Sequence, residues 1–341
     1  MTVPDAPGRD AAGLALLPEA TVARVLDTCL GVVAGERVVL LRDGGTDATV
    51  VAALAAGLVE RRAVPVVVEV PTFVVPGTEP PASVAEALLA ADAGIELTSV
   101  FIGSSRARQN ATAAGRRYLA MPAVEAGTFR LGGPLDVDFD ALVDTTMTLA
   151  RAWEAASDYR ITTPAGTDLR GSVTGRKGRA LTGVARNPGD YMAPPDVESG
   201  TAPVEGSSHG VVVIDGDFLF MGKGPVSSPV TLEIRDGELV GLDSAAFRGT
   251  EGERLAEMIA RVADPRMSNL AEVAVGLNPN GSVCGVPMET ESTKGSAHIA
   301  FGNSIAYGGT VNAPAHLDCV MRDATVYLDG VPRIVAGELV N

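Results

Sequence analysis

The chain has 341 residues, which is long enough for two domains. Its hydrophobic fraction of 46% is sufficient for a buried core, and its formal net charge of −15 at pH 7 argues against a nucleic-acid binder, which needs a basic surface. No apolar run reaches the roughly 20 residues of a membrane-spanning helix. The N-terminus is acidic, unlike a signal peptide, and three scattered cysteines do not indicate a disulfide framework. We therefore expect a cytoplasmic enzyme or binding protein with no nucleic-acid or membrane partner.

Strand and helix patterns alternate in the first half of the chain, after an expected loose arm at residues 1–15. This alternation is typical of βαβ units and predicts a parallel sheet. Helical spacing is found at 19–34, 48–62, 106–115 and 140–157, and strand patterns are found at 36–43, 63–70, 99–105 and 116–122.

After residue 157 the pattern changes to short strands separated by glycine and proline turns. Asp-Gly pairs at 215–216 and 236–237 are hairpin signals, and one helix is predicted at 250–263. The sequence therefore predicts an α/β domain with a parallel sheet at residues 1–157 and a β-rich (α+β) metal-binding domain at residues 158–341.

Two of the three histidines, His298 and His316, lie close together among glycines and other small residues. His316 and Asp318 are two positions apart, so on a strand both face the same side and can bind one ion. His298 lies in an apolar run that is typical of a buried strand, where each ring nitrogen needs a partner. Glu272 is the one charged residue of "NLAEVAVGL", and a buried glutamate is usually paired or bound to a metal. Nitrogen and carboxylate donors together suit zinc, manganese, cobalt or ferrous iron.

Other acids and the third histidine are weaker candidates. Glu198 and Glu205 flank a short loop, and either could handle protons. Glu289 and Glu291 precede His298 and are interpreted as structural or solvated residues. His209 follows two serines, and the sequence leaves open whether it is an acid–base group or a turn residue.

Three further residues are candidate substrate contacts. Ser104 and Ser105 follow a predicted strand of the first domain, at the place where α/β sheets commonly bind ligands. Arg170 belongs to an Asp-Arg pair that could orient a substrate, although such a pair in a β-rich domain is more often structural.

Seven motifs carry a family resemblance: "LTSV" (97–100), "MPAVE" (121–125), "TPAGTDLRGSVTGR" (163–176), "ESGTAPVEGSSHGVVVIDG" (198–216), "AEVAVGLNPN" (271–280), "GSAHIAFG" (295–302) and "GGTVNAPAHLD" (308–318). Taken in order, they resemble the metallo-aminopeptidase family that includes aminopeptidases S and T, especially its shorter bacterial members, labelled leucyl-aminopeptidase-like. The resemblance implies a two-metal site in which one ion polarises a carbonyl and a bridging water becomes the nucleophile. The implied metal ligands are Glu198, Glu272, His298, His316 and Asp318.

The same superfamily contains 2,5-dihydroxypyridine 5,6-dioxygenase. Resemblance to that relative implies a mononuclear ferrous centre with two histidines and an aspartate as ligands, the facial triad. The chain departs from the peptidases at Val197, where they often have a second glutamate, and at Ile305, where a tyrosine is expected. Tyr307 lies nearby and is kept as a candidate substrate contact. Glu272 departs from the dioxygenase if a histidine ligand is expected there.

We therefore expect a two-domain metalloenzyme, and the favoured interpretation is a hydrolase. It would cleave an amide or peptide bond in a small molecule or short peptide, using one or two zinc, manganese or cobalt ions. The alternative is a mononuclear Fe(II) dioxygenase that opens a hydroxylated nitrogen heterocycle, and a third interpretation is a metal-binding structural protein. Related proteins look like dimers or larger rings, so a homo-oligomer is expected.

Overall fold

A computed structural model describes residues 17–222, 224–242, 244 and 247–340. The arm predicted at residues 1–15 lies outside the described residues. Within the described ranges, no helix has both the length and the apolar character that crossing a bilayer requires.

The described residues form helices and strands that we number in chain order. The α-helices are α1 (Glu19–Ala23), α2 (Ala48–Glu60), α3 (Ala82–Ala90), α4 (Arg106–Ala113), α5 (Phe139–Ala155), α6 (Glu253–Val262) and α7 (Pro287–Ser292). The strands are β1 (Arg37–Arg42), β2 (Val64–Glu69), β3 (Ala93–Glu96), β4 (Arg117–Ala120), β5 (Asp158–Thr162), β6 (Asp168–Ser172), β7 (Arg179–Leu181), β8 (Tyr191–Met192), β9 (Glu198–Thr201), β10 (His209–Ile214), β11 (Asp217–Phe218), β12 (Val230–Arg235), β13 (Glu238–Val240), β14 (Leu270–Gly276), β15 (Ala297–Gly302), β16 (His316–Met321), β17 (Thr325–Leu328), β18 (Val331–Val335) and β19 (Glu338–Leu339).

The chain divides into two compact units, each made of more than one segment. The predicted division at residue 157 would place α5 in the first half of the chain. In the structure α5 belongs to the second unit, because it packs on β7 and β9. The first unit comprises Met1–Thr72, Glu79–Val137 and Val184–Pro194, and the second comprises Phe73–Thr78, Asp138–Gly183 and Pro195–Asn341.

The first unit contains a parallel sheet with the strand order β2-β1-β3-β4-β8. Its central strands are buried along almost their whole length, as expected of a parallel sheet covered on both faces. The strand predicted at 99–105 is wrong, because the strand lies earlier, at β3. Residues 99–105 are held as a loop: the buried Glu96 carboxylate accepts hydrogen bonds from the amide of Ile102 (2.6 Å) and from Thr98 Oγ1 (3.2 Å).

The second unit contains two antiparallel sheets among its described residues. One has the strand order β13-β12-β10-β6-β5-β17-β18-β19, and the other has the order β11-β16-β15-β14-β9-β7. Every residue of β14 and β15 is buried, so these strands lie in the core of the unit. The predicted fold class, an α/β part with a parallel sheet and a β-rich part, is confirmed.

Candidate metal centre

The predicted metal ligands emerge from one face of the six-stranded sheet. Glu272 pairs with Ala300, which pairs in turn with Asp318. Directly paired residues of antiparallel strands point to the same face, and so do residues two apart on one strand. The same rule applies to the pairs Gly276–Glu198, Ala274–His298 and Gly302–His316. We call this surface the ligand face; its candidate ligands are Glu198, Glu272, His298, His316 and Asp318.

Small residues separate the ligands on this face. Gly200, Ala274 and Ala300 occupy positions between them, so the long acidic and imidazole side chains have room to converge. At Gly200 a Cβ atom would lie 2.4 Å from Ala274 Cβ, so the close approach of β9 and β14 requires glycine. The register of β14 against β15 shifts between Leu270 and Glu272, which brings Glu272 opposite Ala300.

The His316 ring is fixed with one nitrogen directed at two carboxylates. The carbonyl oxygen of Asn303 accepts a hydrogen bond from His316 Nδ1 (2.7 Å), so Nδ1 carries a hydrogen. His316 Nε2 lies 3.0 Å from Glu272 Oε2 and 3.1 Å from Asp318 Oδ1. This arrangement is typical of a metal-binding imidazole, whose second nitrogen is usually held by a carbonyl or carboxylate.

Tyr307 stacks on the His316 ring. The ring centroids are 4.3 Å apart and the planes differ by 6°. The Arg179 guanidinium carbon lies 4.2 Å from the Tyr307 ring centroid, a distance suited to a cation–π contact. Tyr307 therefore contacts a candidate ligand directly, whereas the sequence indicated a substrate contact at this position.

His298 lies deeper in the face than His316, with 1% of its surface exposed. Its Nε2 is 3.1 Å from Glu198 Oε2, an ion-pair distance, but Glu198 Oε2 has no partner in hydrogen-bond geometry. His298 Nδ1 is buried without a hydrogen-bond partner. A buried imidazole with an unsatisfied nitrogen is costly unless a further group completes it.

Seven residues in this region form four groups that could hold a metal ion, and in each group one donor atom per residue lies within 4.8 Å of the others. Donors that share an ion at about 2.1 Å each lie up to about 4.2 Å apart, so small movements would close these groups on an ion. Among the described residues, no group contains both histidines. The groups are Glu272–His316–Asp318, Glu198–Glu272–His298, Glu291–His298–Asp318 and Asp196–Glu198–Glu291.

The protonation of these groups tests whether a divalent cation fits. Burial lowers the pKa of His316, but the charge of Asp318 and hydrogen bonds with the acids raise it to about 10. Burial likewise lowers the pKa of His298, and the charge of Glu198 raises it to about 9. Burial raises the pKa of Glu291 well above its usual range. Without a cation, protons on His298, His316 and Glu291 therefore offset the repulsion between the carboxylates. A dication can replace these protons, so the donor set suits a divalent metal.

Asp196, Glu291 and Arg179 are site residues that the sequence did not indicate. Asp196 precedes β9 by two residues, and Glu291 was interpreted as structural or solvated although it is 6% exposed. Arg179 pairs with Gly200 and therefore belongs to the ligand face. The i, i+2 spacing of Asp196 and Glu198 was the available signal, and it repeats the spacing of His316 and Asp318.

Three predicted residues of the second unit make other contacts. Glu205 forms an ion pair with Arg176 and accepts a hydrogen bond from the amide of Thr310 (2.7 Å). His209 is exposed on β10, where its Nδ1 accepts a hydrogen bond from the amide of Asp236 (3.3 Å). Arg170 is exposed on β6 and is the cross-strand neighbour of His209. None of the three belongs to a candidate metal group among the described residues.

Ser104 and Ser105 belong to the first unit. Ser105 caps α4, with its side chain accepting a hydrogen bond from the amide of Arg108 (3.4 Å). The carbonyl of Ser104 accepts a hydrogen bond from Gln109 Nε2 (2.7 Å). These contacts account for the local structure of the loop, and a substrate role for either serine stays a prediction.

A buried cluster of acids and imidazoles on a β-rich unit is typical of a metalloenzyme. Residues 19–341 match the model of a family described as NicX, 2,5-dihydroxypyridine 5,6-dioxygenase. The chain belongs to this family.

One curated relative carries the same description, and two solved structures share the fold. The 2,5-dihydroxypyridine 5,6-dioxygenase of Pseudomonas putida KT2440 is 26% identical over 195 residues, which cover 54% of this chain and 55% of that protein. The match thus spans about half the length of this curated relative. The structure of 2,5-dihydroxypyridine dioxygenase from the same strain has a TM-score of 0.75 at 20% identity and covers 94% of this chain and 95% of that chain. Wild-type AmpT from Thermus thermophilus has a TM-score of 0.65 at 18% identity, covering 95% of this chain and 98% of that chain.

These comparisons contradict the hydrolase interpretation. AmpT has the same fold, so the sequence-based resemblance is confirmed at the level of the fold. At 18% identity that likeness shows the fold alone, whereas the family match covers almost the whole chain. The motifs that carried the sequence-based resemblance did not separate the two chemistries.

Proposed function

We propose that this chain is a ring-cleaving dioxygenase for a hydroxylated nitrogen heterocycle of the 2,5-dihydroxypyridine type, with ferrous iron held by Glu272, His316 and Asp318. Family membership supports the reaction class. The observation that carries the choice of ligands is the position of His316 Nε2, 3.0 Å from one carboxylate and 3.1 Å from the other. Ferrous iron held by nitrogen and oxygen donors supplies the one-electron chemistry that dioxygen activation requires.

The residues around this group orient it. The Asn303 carbonyl holds Nδ1 of His316, which leaves Nε2 free for the ion, and Tyr307 restricts rotation of the ring by stacking on it. The burial of β14 and β15 keeps water away from the inner side of the group. The three donors come from two strands, so the sheet itself fixes their spacing.

His298 is the group that we assign to proton handling. It shares one candidate group with Glu272 and another with Asp318, so it lies next to the proposed iron ligands. Its Nδ1 is buried without a hydrogen-bond partner, and in the neutral imidazole this nitrogen can accept the proton that a hydroxyl group of the substrate loses on binding. Both atoms of one dioxygen enter the ring-opened product in a dioxygenase, so no external reductant is needed.

The test compares turnover of 2,5-dihydroxypyridine under air and under argon, by protein that was purified anaerobically and loaded with Fe(II) or Zn(II). We expect turnover only with iron and air, with one dioxygen consumed for each substrate. His316→Ala and Asp318→Ala should lose turnover and iron while remaining folded. His209→Ala is the matched control, since this exposed histidine lies outside the candidate groups. Turnover under argon, or equal turnover with zinc, would show that the proposal is wrong.

A further inference from the structure

Six of the seven candidate donors form two triads that share no residue. One is the proposed iron group, Glu272–His316–Asp318, and the other is Asp196–Glu198–Glu291, whose three carboxylate donors lie within 4.8 Å of one another. His298 is the remaining residue; it forms one group with Glu198 and Glu272 and another with Glu291 and Asp318. The two triads are therefore neighbours, with His298 adjacent to both.

The second triad contains buried carboxylate oxygens that lack a hydrogen-bond partner. Asp196 is 1% exposed, and neither of its carboxylate oxygens has a hydrogen-bond partner. Glu198 is 4% exposed, and its Oε2, which lies 3.1 Å from His298 Nε2, also has no partner in hydrogen-bond geometry. Buried polar atoms in native proteins are nearly always satisfied, and an unpaired buried charge is costly. A ligand that donates positive charge to this triad would satisfy these atoms.

The charges on the ligand face indicate what that ligand is. With both histidines neutral and every acid ionised, a single ferrous ion and the Arg179 guanidinium carry three positive charges between them, against five carboxylates. One more dication would bring the positive charges to five and neutralise the face. The carboxylates are Asp196, Glu198, Glu272, Glu291 and Asp318.

A close approach of α7 to the sheet at Gly276 brings the second triad next to the first. Gly276 lies on the ligand face, and a Cβ atom there would be 2.4 Å from the carbonyl oxygen of Thr293 and 2.6 Å from that of Glu291. The absence of a side chain at Gly276 therefore lets the end of α7 approach the sheet. That approach carries Glu291 over the face, where it meets Glu198 from β9 and Asp196 from the preceding loop.

We propose that Asp196, Glu198 and Glu291 bind a second divalent cation beside the iron triad. Three carboxylates without nitrogen or sulfur donors suit a hard cation such as Mg²⁺ or Mn²⁺. The bound cation neutralises the acids around the cleavage site, so a substrate that has lost a hydroxyl proton can approach without repulsion. This site goes beyond the proposed function, which requires one ferrous ion.

Manganese is the probe for this site, because free Mn²⁺ can be counted by electron paramagnetic resonance. Protein loaded anaerobically with one equivalent of Fe(II) is titrated with Mn²⁺ in the presence of salt, and iron retention is measured by elemental analysis. We expect one Mn²⁺ to bind per chain without loss of iron. Asp196→Asn and Glu291→Gln should each weaken this binding at least tenfold while retaining iron.

Glu289→Gln is the matched control. Glu289 lies on the same helix and is 1% exposed, but its Oε1 accepts a hydrogen bond from Ser282 Oγ (2.6 Å) and it belongs to no candidate group among the described residues. It should bind Mn²⁺ as the unmodified chain does. Failure of the unmodified chain to bind Mn²⁺ would overturn the proposal, and so would equal binding by Asp196→Asn and Glu291→Gln, which indicates an adventitious surface ion.

The result of the Mn²⁺ titration can be distinguished from the result of the turnover test for the proposed function. Mn²⁺ binding to the triad without oxygen consumption on 2,5-dihydroxypyridine would leave the cation site standing and reject the dioxygenase. Oxygen consumption by protein that binds iron but no Mn²⁺ would support the dioxygenase and reject the cation site. The repulsion between the three carboxylates would then be offset by protons.

Discussion

Glu272 is the residue at which the proposed iron triad differs from a facial triad of two histidines and one carboxylate. It is 1% exposed, and its Oε2 is 3.0 Å from His316 Nε2. Histidine and glutamate each supply one donor atom of similar reach. We therefore predict that Glu272→His retains iron and oxygen uptake within about tenfold, whereas Glu272→Ala weakens iron binding by more than the 10–100-fold typical of outer residues. Anaerobic competition with an iron chelator measures both affinities, and equal losses in the two variants would contradict a ligand role for Glu272.

Substitutions at Tyr307 distinguish a residue that positions His316 from a residue that binds substrate. The stacking contact with His316 needs the ring, and a substrate hydrogen bond needs the hydroxyl. If Tyr307 positions His316, Tyr307→Phe should keep iron affinity and KM within about threefold, while Tyr307→Ala should weaken iron binding by about 10–100-fold. A rise in KM for Tyr307→Phe with unchanged iron affinity would instead support the substrate contact expected from the sequence.

Residue patterns indicated four of the seven candidate donors, and the family resemblance added Glu198. His316, Asp318, His298 and Glu272 lie in strands whose polar residues interrupt apolar runs, so their burial could be read from neighbouring residues. Glu291 could not be found this way, because α7 is a short helix whose described residues are all buried. Its position depends on the contact between α7 and Gly276, which are distant in the chain.

At the level of elements, Gly276 links α7 to β14. A methyl group there would overlap the backbone of Glu291 and Thr293, so the helix end must move. We predict that Gly276→Ala lowers the free energy of unfolding by about 1–3 kcal/mol, the usual cost of overpacking, and weakens Mn²⁺ binding by the second triad. Gly127→Ala is the control, because nothing lies within 4 Å of a Cβ atom there; it should stay within about 0.5 kcal/mol. Equal stabilities of the two variants would show that α7 is not held by this contact.

The strands of the parallel sheet were predictable where apolar runs are bounded by turns, as in β1. The strand at 99–105 was misplaced because "SVFIGSS" has strand composition, while "AGIE" of β3 is short and ends in a charged residue. What decides between them is the Glu96 carboxylate, which draws the following loop over the strand end through the amide of Ile102. Such a contact overrides local propensity and is not visible in the composition of either segment.

Glu96 gives the first unit a pH-dependent stability. Burial raises its pKa from 4.5 to about 7, although hydrogen bonds from Ile102, Tyr118 and Thr98 oppose the rise. Between these two pH values the folded state holds a proton that the unfolded state has lost, so stability falls as pH rises from about 4.5 to 7 and is constant above. The cost is roughly 3 kcal/mol at about 1.4 kcal/mol for each pH unit.

We therefore predict that Glu96→Gln, relative to the unmodified chain, becomes more stable as pH increases through this window, by roughly 3 kcal/mol in total. Amide hydrogen exchange of β3 and β4 at pH 5 and pH 8 measures the local free energy of opening, after correction for intrinsic rates. Glu69→Gln, which removes an exposed carboxylate of the same sheet, should leave the pH profile unchanged. A pH-independent difference between Glu96→Gln and the unmodified chain would contradict the raised pKa.

For the whole molecule, sequence patterns predicted the fold class but not the reaction class. The dioxygenase and AmpT structures each share the fold of this chain, at TM-scores of 0.75 and 0.65. The fold therefore cannot decide the reaction class. The boundary at residue 157 was drawn where strand patterns replace helical ones. The structure instead assigns α5 to the second unit and Val184–Pro194 to the first, because packing between distant segments decides which unit a segment joins.

The stability of the second unit should depend on its metal. The ligand face, together with Asp196 and Glu291 beside it, gathers five carboxylates that repel one another, and four of them are buried. A cation that binds only the folded state stabilises it by mass action. With free metal at about 100 times its Kd, the gain is about 2.7 kcal/mol, or roughly 5–10 °C in Tm. We predict that EDTA lowers Tm by this amount and increases amide exchange in β14, β15 and β16. Exchange in β1 and β3 of the first unit should not change.

A chain carrying both His316→Ala and Asp318→Ala tests the origin of that effect. This double variant lacks the proposed iron triad, so EDTA should lower its Tm by much less than it lowers the Tm of the unmodified chain. Any remaining decrease in Tm measures the loss of a cation from the second triad. Adding Glu291→Gln should remove that remainder. The prediction is contradicted if the unmodified chain has an equal Tm with and without EDTA after confirmed removal of metal. Protonation of the acids would then be sufficient to stabilise the ligand face, and no cation would be needed.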